Sequence, residues 1–199
     1  MGRRIEPLRL YKEANDGPLR HEQMLLYTVQ ALEVVERLTS GISHVQPWEK
    51  SAAYTGTPYD PDGRLYRVAY KFLAQEFATR MNAELRGAPV FTSINRETAR
   101  ATLHDSGPSR LLTLDVPTSE VLLTNYHFWA WTILSNWCGL HGCFTDDENG
   151  CNAPCREETW RAAVFEVPQD PAKQQGVLNR IEPSWLRSIY SESPPKPKY

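Results

Sequence analysis

Four cysteines fall within an 18-residue stretch, Cys138, Cys143, Cys151 and Cys155, with His141 among them. Thiolates and imidazole suit zinc, so one reading is a structural metal site on the four cysteines. Their spacing is not the paired Cys-x-x-Cys of a zinc knuckle. Disulfides, which need an oxidising compartment or very local pairing, and four reduced thiols are the other readings. Each leaves residues 138–157 as a Cys-rich insertion in the domain. The run Asp146-Asp147-Glu148-Asn149-Gly150 lacks the alternating ligands and distal Glu of a calcium loop and reads as a solvated acidic turn.

The second group that could do chemistry is aromatic. Tyr126-His127-Phe128-Trp129-Ala130-Trp131 is followed by Trp137, and such rings stack on a nucleobase or a nicotinamide. The competing reading is a helix with a buried aromatic face, since Trp129, Ile133 and Trp137 fall four residues apart. Asn125 and His127, at the helix start, are the candidates for polar contacts to a ligand. Familiar signatures are missing: there is no Gly-x-x-x-x-Gly-Lys, Gly-x-Gly-x-x-Gly, His-Glu-x-x-His or Gly-x-Ser-x-Gly. A P-loop nucleotidase, a Rossmann dehydrogenase, a zincin and an α/β-hydrolase are thereby disfavoured.

The elements that must position these residues can be read along the chain. Residues 1–24 are polar and form an N-terminal arm. Leu25 to Val29 is a strand, and Gln30 to Thr39 a helix with Leu32, Val35 and Leu38 on one face and Gly41 as its stop. Ile42 to Val45 makes a short strand. Residues 46–63, with three prolines and two glycines, form a long loop of the kind that often carries function. The best helix runs from Leu65 to about Leu85, ending at Gly87; Leu65, Ala69, Phe72, Leu73, Phe77 and Met81 face inward, and Lys71, Gln75, Glu76 and Arg80 outward. Ala88 to Ile94 is a strand, and residues 95–109 are a short helix from Asn95 or a loop. Residues 111–129 read as a strand, a sharp turn, a second strand paired with the first, and a helix capped by Asn125 and running to about Trp137. Trp160 to Val167 alternates as a strand, Val177 to Ile181 adds another, and Ser184 to Tyr190 is a last helix. Residues 191–199, rich in proline, form a disordered tail. The pattern predicts a single α+β domain over 25–190, a mixed, mainly antiparallel sheet flanked by helices.

Composition sets outer bounds. The chain has 199 residues, 41% hydrophobic and 23% charged, which favours one domain with a substantial core. A net charge of −2 provides no global basic field and disfavours nucleic acid as a partner. No window approaches the roughly 18 apolar residues of a membrane span. The first residues have no apolar run behind them, and Glu6 stands where a myristoylation signal needs Ser or Thr. A cytoplasmic protein is expected.

In order along the chain, several runs resemble an uncharacterised bacterial family, a domain of unknown function. Its Trp-Thr-Ile-Gln strand end is matched by Tyr27-Thr28-Val29-Gln30, its Tyr-x-Trp-Met helix by Tyr70-Lys71-Phe72-Leu73, and its Pro-Ile-Trp strand by Pro89-Val90-Phe91. Its Leu-Leu-Ser-Asp-Phe-x-x-Trp corner is matched by Leu122 to Trp129, with Asn125 where the family has Asp. Asn136-Trp137 and the pair Trp160 and Phe165 complete the match over about residues 25–167. The element order also resembles that of ADP-ribosyltransferase-like domains. That resemblance implies an enzyme that binds NAD and modifies a macromolecular or small-molecule target, with Thr28 and Gln30 gripping the cofactor from the early strand. Asn125 and His127 would contact it, Tyr126 or Trp129 would flank the nicotinamide, and Glu166, or else Glu120, would supply the carboxylate. Gln30 and Glu166 are thus the catalytic candidates. Each has a plain rival: Thr28 suits a strand, Gln30 opens the next helix, and Glu166 is the outward member of a strand. The alternative function is a non-enzymatic interaction module, an inhibitor or partner-binding protein of a phage or defence system, using the same corner and the 46–63 loop.

Overall fold

The computed structural model describes residues 22–55, 64–103, 108–129 and 161–191. The arm up to residue 21, the 138–157 insertion with Cys138, Cys143, Cys151 and Cys155, the rest of the Tyr126–Trp137 helix and the tail from residue 192 lie outside the described residues. The described residues make a single α+β domain. Strand β1 (Gln23–Ala31) runs straight into helix α1 (Leu32–Thr39), so Gln23 and Met24 belong to the sheet and not to the arm. Next come the short α2 (Ala52–Thr55), the long α3 (Arg64–Met81), β2 (Val90–Ser93), α4 (Arg96–Ala101), β3 (Ser109–Pro117), β4 (Leu122–Asn125), β5 (Gln174–Leu178) and β6 (Leu186–Tyr190). Among the described residues the six strands form one sheet in the order β4-β5-β2-β1-β3-β6, and every pair is antiparallel.

β1 and β3 pair along their whole length, Gln23 opposite Pro117 to Ala31 opposite Ser109. β1 and β2 share one paired position, Tyr27 opposite Ser93. The sheet therefore consists of two three-stranded halves, β4-β5-β2 and β1-β3-β6, joined at a narrow seam. β3 and β4 are not the hairpin that the sequence suggests: they lie on different halves, four strand positions apart. Four positions of a flat sheet span about 19 Å, whereas the link from Pro117 to Leu122 reaches about 17 Å even when extended, and part of it is a tight 3₁₀ turn, Thr118–Glu120. The sheet must curl, and it does. A side-chain carbon placed on Gly176 of β5 would lie 3.2 Å from Val121 of the link and 3.4 Å from Leu26 of β1.

Alternation along the strands sorts the core. Leu26, Leu112, Leu114, Val116 and Leu178 face the inside of the curl with Val34 and Leu38 of α1, Ile181 and Trp185. Ala69, Phe72, Leu73 and Phe77 of α3 cover the opposite face of the β4-β5-β2 half, against Leu122, Trp129, Val164 and Val177. Ala99 and Leu103 pack on Leu111, with Tyr27, Val29 and Tyr190 around them.

Helix α1 stops where expected. Gly41 takes φ +80°, and the Gly41 and Ile42 amides bond back to the Leu38 and Arg37 carbonyls, closing a Schellman motif. Helix α3 does not run to about Leu85 with Gly87 as its stop: it ends at Met81, followed by Asn82 at φ +50°. Gly87 serves close approach instead, because a Cβ there would lie 2.3 Å from the Gln46 carbonyl oxygen. Glu76, expected outward, is 6% exposed. It accepts from Arg80 Nε at 3.0 Å and Arg161 Nε at 2.8 Å, and the Arg80 guanidinium lies 4.2 Å over the Phe165 ring. Two late elements also differ from expectation. Residues 161–164 form a helical turn, not a strand, because Val164 is drawn fully into the α3 core. Leu186–Tyr190 is an edge strand beside β3, not a helix.

Candidate functional site

Where the two half-sheets part, the seam opens into a cleft of about 390 Å³. β1 contributes Tyr27 to Gln30, and β2 contributes Val90 to Ser93. Thr98 and Ala99 of α4, Thr102 at its C-cap, Gln174 and Gln175 of β5, and Gln46, Lys50, Ser51, Tyr70 and Tyr126 add to the lining. The strands place these groups because a ladder with a single rung leaves neighbouring side chains facing a gap instead of a partner strand.

Thr28 is 3% exposed. Its hydroxyl donates to the Phe91 carbonyl across the seam at 3.0 Å and accepts from Gln30 Nε2 at 2.9 Å. The amide carbonyl of Gln30 is left as an acceptor on the cleft wall. Burial pushes the Tyr70 phenol far above its ordinary value, with Tyr66 adding to the effect, so this hydroxyl keeps its proton and acts as a neutral donor. Tyr126 is 41% exposed at the rim. Lys50 is the one charged side chain among the described residues that line the cleft, and no carboxylate, imidazole or thiol is among them.

The structure brings together only part of the expected set. Thr28, Gln30 and Tyr126 meet in the cleft. Asn125 is the cap of the helical turn 126–129: its Oδ1 accepts from the amides of His127 at 3.1 Å and Phe128 at 3.2 Å, and its Nδ2 donates to the Glu166 carbonyl at 3.4 Å. Trp129 is 3% exposed, stacked on Tyr70 at 6.1 Å and tilted against Phe91 at 5.6 Å, so it backs the cleft wall and does not face a ligand. His127 is exposed, edge-on to the Phe128 ring. Glu166 sits in a bend after the 161–164 turn, exposed and outside the cleft lining. Glu120 is held by Arg180 Nη1 at 3.2 Å, also outside the lining.

Sequence reasoning missed Gln46, Lys50, Ser93, Thr98, Gln174 and Gln175. For Gln46 and Lys50 the signal was present, since both belong to the long loop singled out for its length. The others lie on strands or helices with nothing local to mark them. No group of three or more His, Cys, Asp or Glu among the described residues is placed to hold a metal ion. No helix among them is long and apolar enough to cross a membrane. Comparison of the chain with protein-family models, curated proteins and solved structures finds no match, so the resemblance drawn above rests on the quoted residues alone.

Proposed function

We propose that the chain is a NAD-binding, ADP-ribosyltransferase-like protein that lodges the nicotinamide end of the dinucleotide in the seam cleft. The observation that supports this is the meeting of Thr28, Gln30 and Tyr126, from segments about a hundred residues apart, around one cavity. A concave site with a few convergent polar groups is what a small-molecule ligand needs. Nicotinamide is a flat ring bearing a carboxamide. The Gln30 carbonyl accepts from such an amide, the Tyr70 hydroxyl donates to its oxygen, and the exposed Tyr126 ring offers a stacking face.

Breaking the nicotinamide–ribose bond builds positive charge on the sugar, which a carboxylate stabilises. The described lining holds none and Glu166 lies outside it, so binding is the part of this reading that the cleft supports; transfer to a protein or small-molecule target would need the Glu166 carboxylate to reach the sugar from beyond the lining. A cytoplasmic setting, where NAD is present, fits the same reading. Titration calorimetry with NAD, together with nicotinamide release by the wild type and Glu166→Gln, tests it. Binding with release that Glu166→Gln abolishes supports the transferase. Binding without release leaves a NAD-binding module. No heat and no release from folded protein overturns the proposal.

A second reading, a partner-binding module, draws on Tyr126, Phe128 and Val167, which are 39–41% exposed around the corner tied together by the Asn125–Glu166 bond. Exposed apolar side chains grouped in this way are typical of protein contacts. This reading gains if Phe128→Ser abolishes association with a target while NAD binding stays absent.

A further inference from the structure

The seam cleft does not end at α1. A second cavity of about 1020 Å³ lies beside it, lined by Glu33, Glu36 and Arg37 of α1, by His44, and by Gln30, Gln46 and Lys50, which line both cavities. The boundary that the two cavities share is therefore formed by two amides and one ammonium. That ammonium is engaged: Lys50 Nζ donates to Glu33 Oε1 at 2.7 Å. Lys50 comes from the 3₁₀ turn Trp48–Lys50 and Glu33 from the first turn of α1, so the pair ties the loop to the helix at that boundary. Glu33 lines only the second cavity, so the pair draws the lysine toward that side.

We propose that the Glu33–Lys50 ion pair is an electrostatic latch at the boundary between the two cavities, opened by the diphosphate of a two-headed ligand that occupies both. The inference rests on the reading of the seam cleft as a NAD site and adds how the middle of the molecule is admitted. Both partners are mostly exposed, with side-chain exposures of 60% for Lys50 and 64% for Glu33, and an exposed pair of single charges is weakly held. A diphosphate carries more negative charge than one carboxylate and offers several oxygens, so it wins the ammonium. Its two heads then lie on either side of that boundary, a ring in the seam cleft and the second nucleoside in the larger cavity. A ligand without phosphate gains nothing from displacing Glu33 and stops in the first cavity.

The test has opposite signs built in. NAD, inorganic pyrophosphate and nicotinamide are each titrated into the wild type, Glu33→Gln and Lys50→Gln at two salt concentrations, with circular dichroism confirming that all three proteins fold. Freeing the lysine in Glu33→Gln is expected to tighten NAD and pyrophosphate by about threefold to tenfold, and removing it in Lys50→Gln to weaken them by about tenfold, both effects shrinking at high salt, with nicotinamide unchanged throughout. Variants that shift NAD affinity in the same direction, or not at all, overturn the latch and leave the NAD reading standing. Pyrophosphate following the opposite-sign pattern while NAD and nicotinamide fail to bind keeps the latch and removes the NAD reading. Binding of neither NAD nor pyrophosphate by any of the three proteins overturns both.

Discussion

The Thr28 hydroxyl on β1 donates to the main-chain carbonyl of Phe91 on β2 at 3.0 Å, across the seam where these strands share a single paired position. A side chain thus supplies the bond that a second rung would have made. Thr28→Val keeps the shape and strands a carbonyl in a part-buried site, at a cost of about 1–3 kcal/mol. Urea denaturation should show that loss, and Thr28→Ser should recover most of it. Because Gln30 Nε2 is anchored on the same hydroxyl, the valine variant should also weaken any ligand that reads the Gln30 carbonyl.

Asn125 gives a sharper separation of structure from chemistry. Its Oδ1 takes two amides at the start of the 126–129 turn, so Asn125→Ala should cost about 1 kcal/mol through the lost cap. Asn125→Asp keeps the capping oxygen and loses only the long 3.4 Å donation to Glu166. It should stay within a few tenths of a kcal/mol of wild type by thermal melting.

Glu76 joins α3 to the segment after residue 160 through two arginines. Its carboxylate is nearly enclosed, with 9% side-chain exposure against 38% for Arg80 and 45% for Arg161. Glu76→Gln should destabilise by about 1–3 kcal/mol, since one neutral amide cannot serve two guanidinium donors. The effect should persist in high salt, unlike that of the exposed Glu33–Lys50 pair. Guanidinium-free denaturation in urea with and without added salt separates the two.

Acid stability should depend on Glu182. The Ser43 hydroxyl, and then Arg180, hold its carboxyl below the ordinary value against the opposing effect of burial. A carboxyl depressed in the folded state contributes stability that is complete above its unfolded pKa and is lost as pH falls through the folded one. Removing the larger cause in Ser43→Ala should therefore lower stability near neutrality, and the difference from wild type should shrink as pH falls through the folded pKa and vanish once the carboxyl is protonated in both states. A pH series of melting temperatures reads this directly.

How far the fold was legible follows from the range of the signals involved. Leu26 with Val29, the α3 stripe from Ala69 to Phe77 and the Gly41 stop are local patterns, and each formed as its spacing predicts. Pairing is not local. Leu122 to Asn125 follows β3 at hairpin distance, and only the closing of the curl over Leu26 and Gly176 sends it to β5. Leu186 to Tyr190 carries apolar residues at both helical and strand spacings, and the neighbour Leu111–Leu114 decides between them. Within the site, Thr28, Gln30 and Tyr126 were found because a resemblance named them. For Trp129 and Asn125 the residue types suit ligand contact, but the plainer readings of the same residues, a buried aromatic face and a helix cap, are the ones that formed, with Trp129 stacked on Tyr70 and Asn125 capping His127 and Phe128. Gln174 and Gln175 carried no sign at all, since a glutamine on an edge-proximal strand is usually solvated.

The Thr118–Val121 link joins β3 of one half-sheet to β4 of the other. It is the shortest covalent tie between the halves, kept compact by its 3₁₀ turn at Thr118–Glu120. Its length, more than any contact within the cavity, therefore determines how wide the mouth stands, in the way a door chain limits an opening. Residues inserted there would leave every lining side chain intact while altering the size of molecule that can enter.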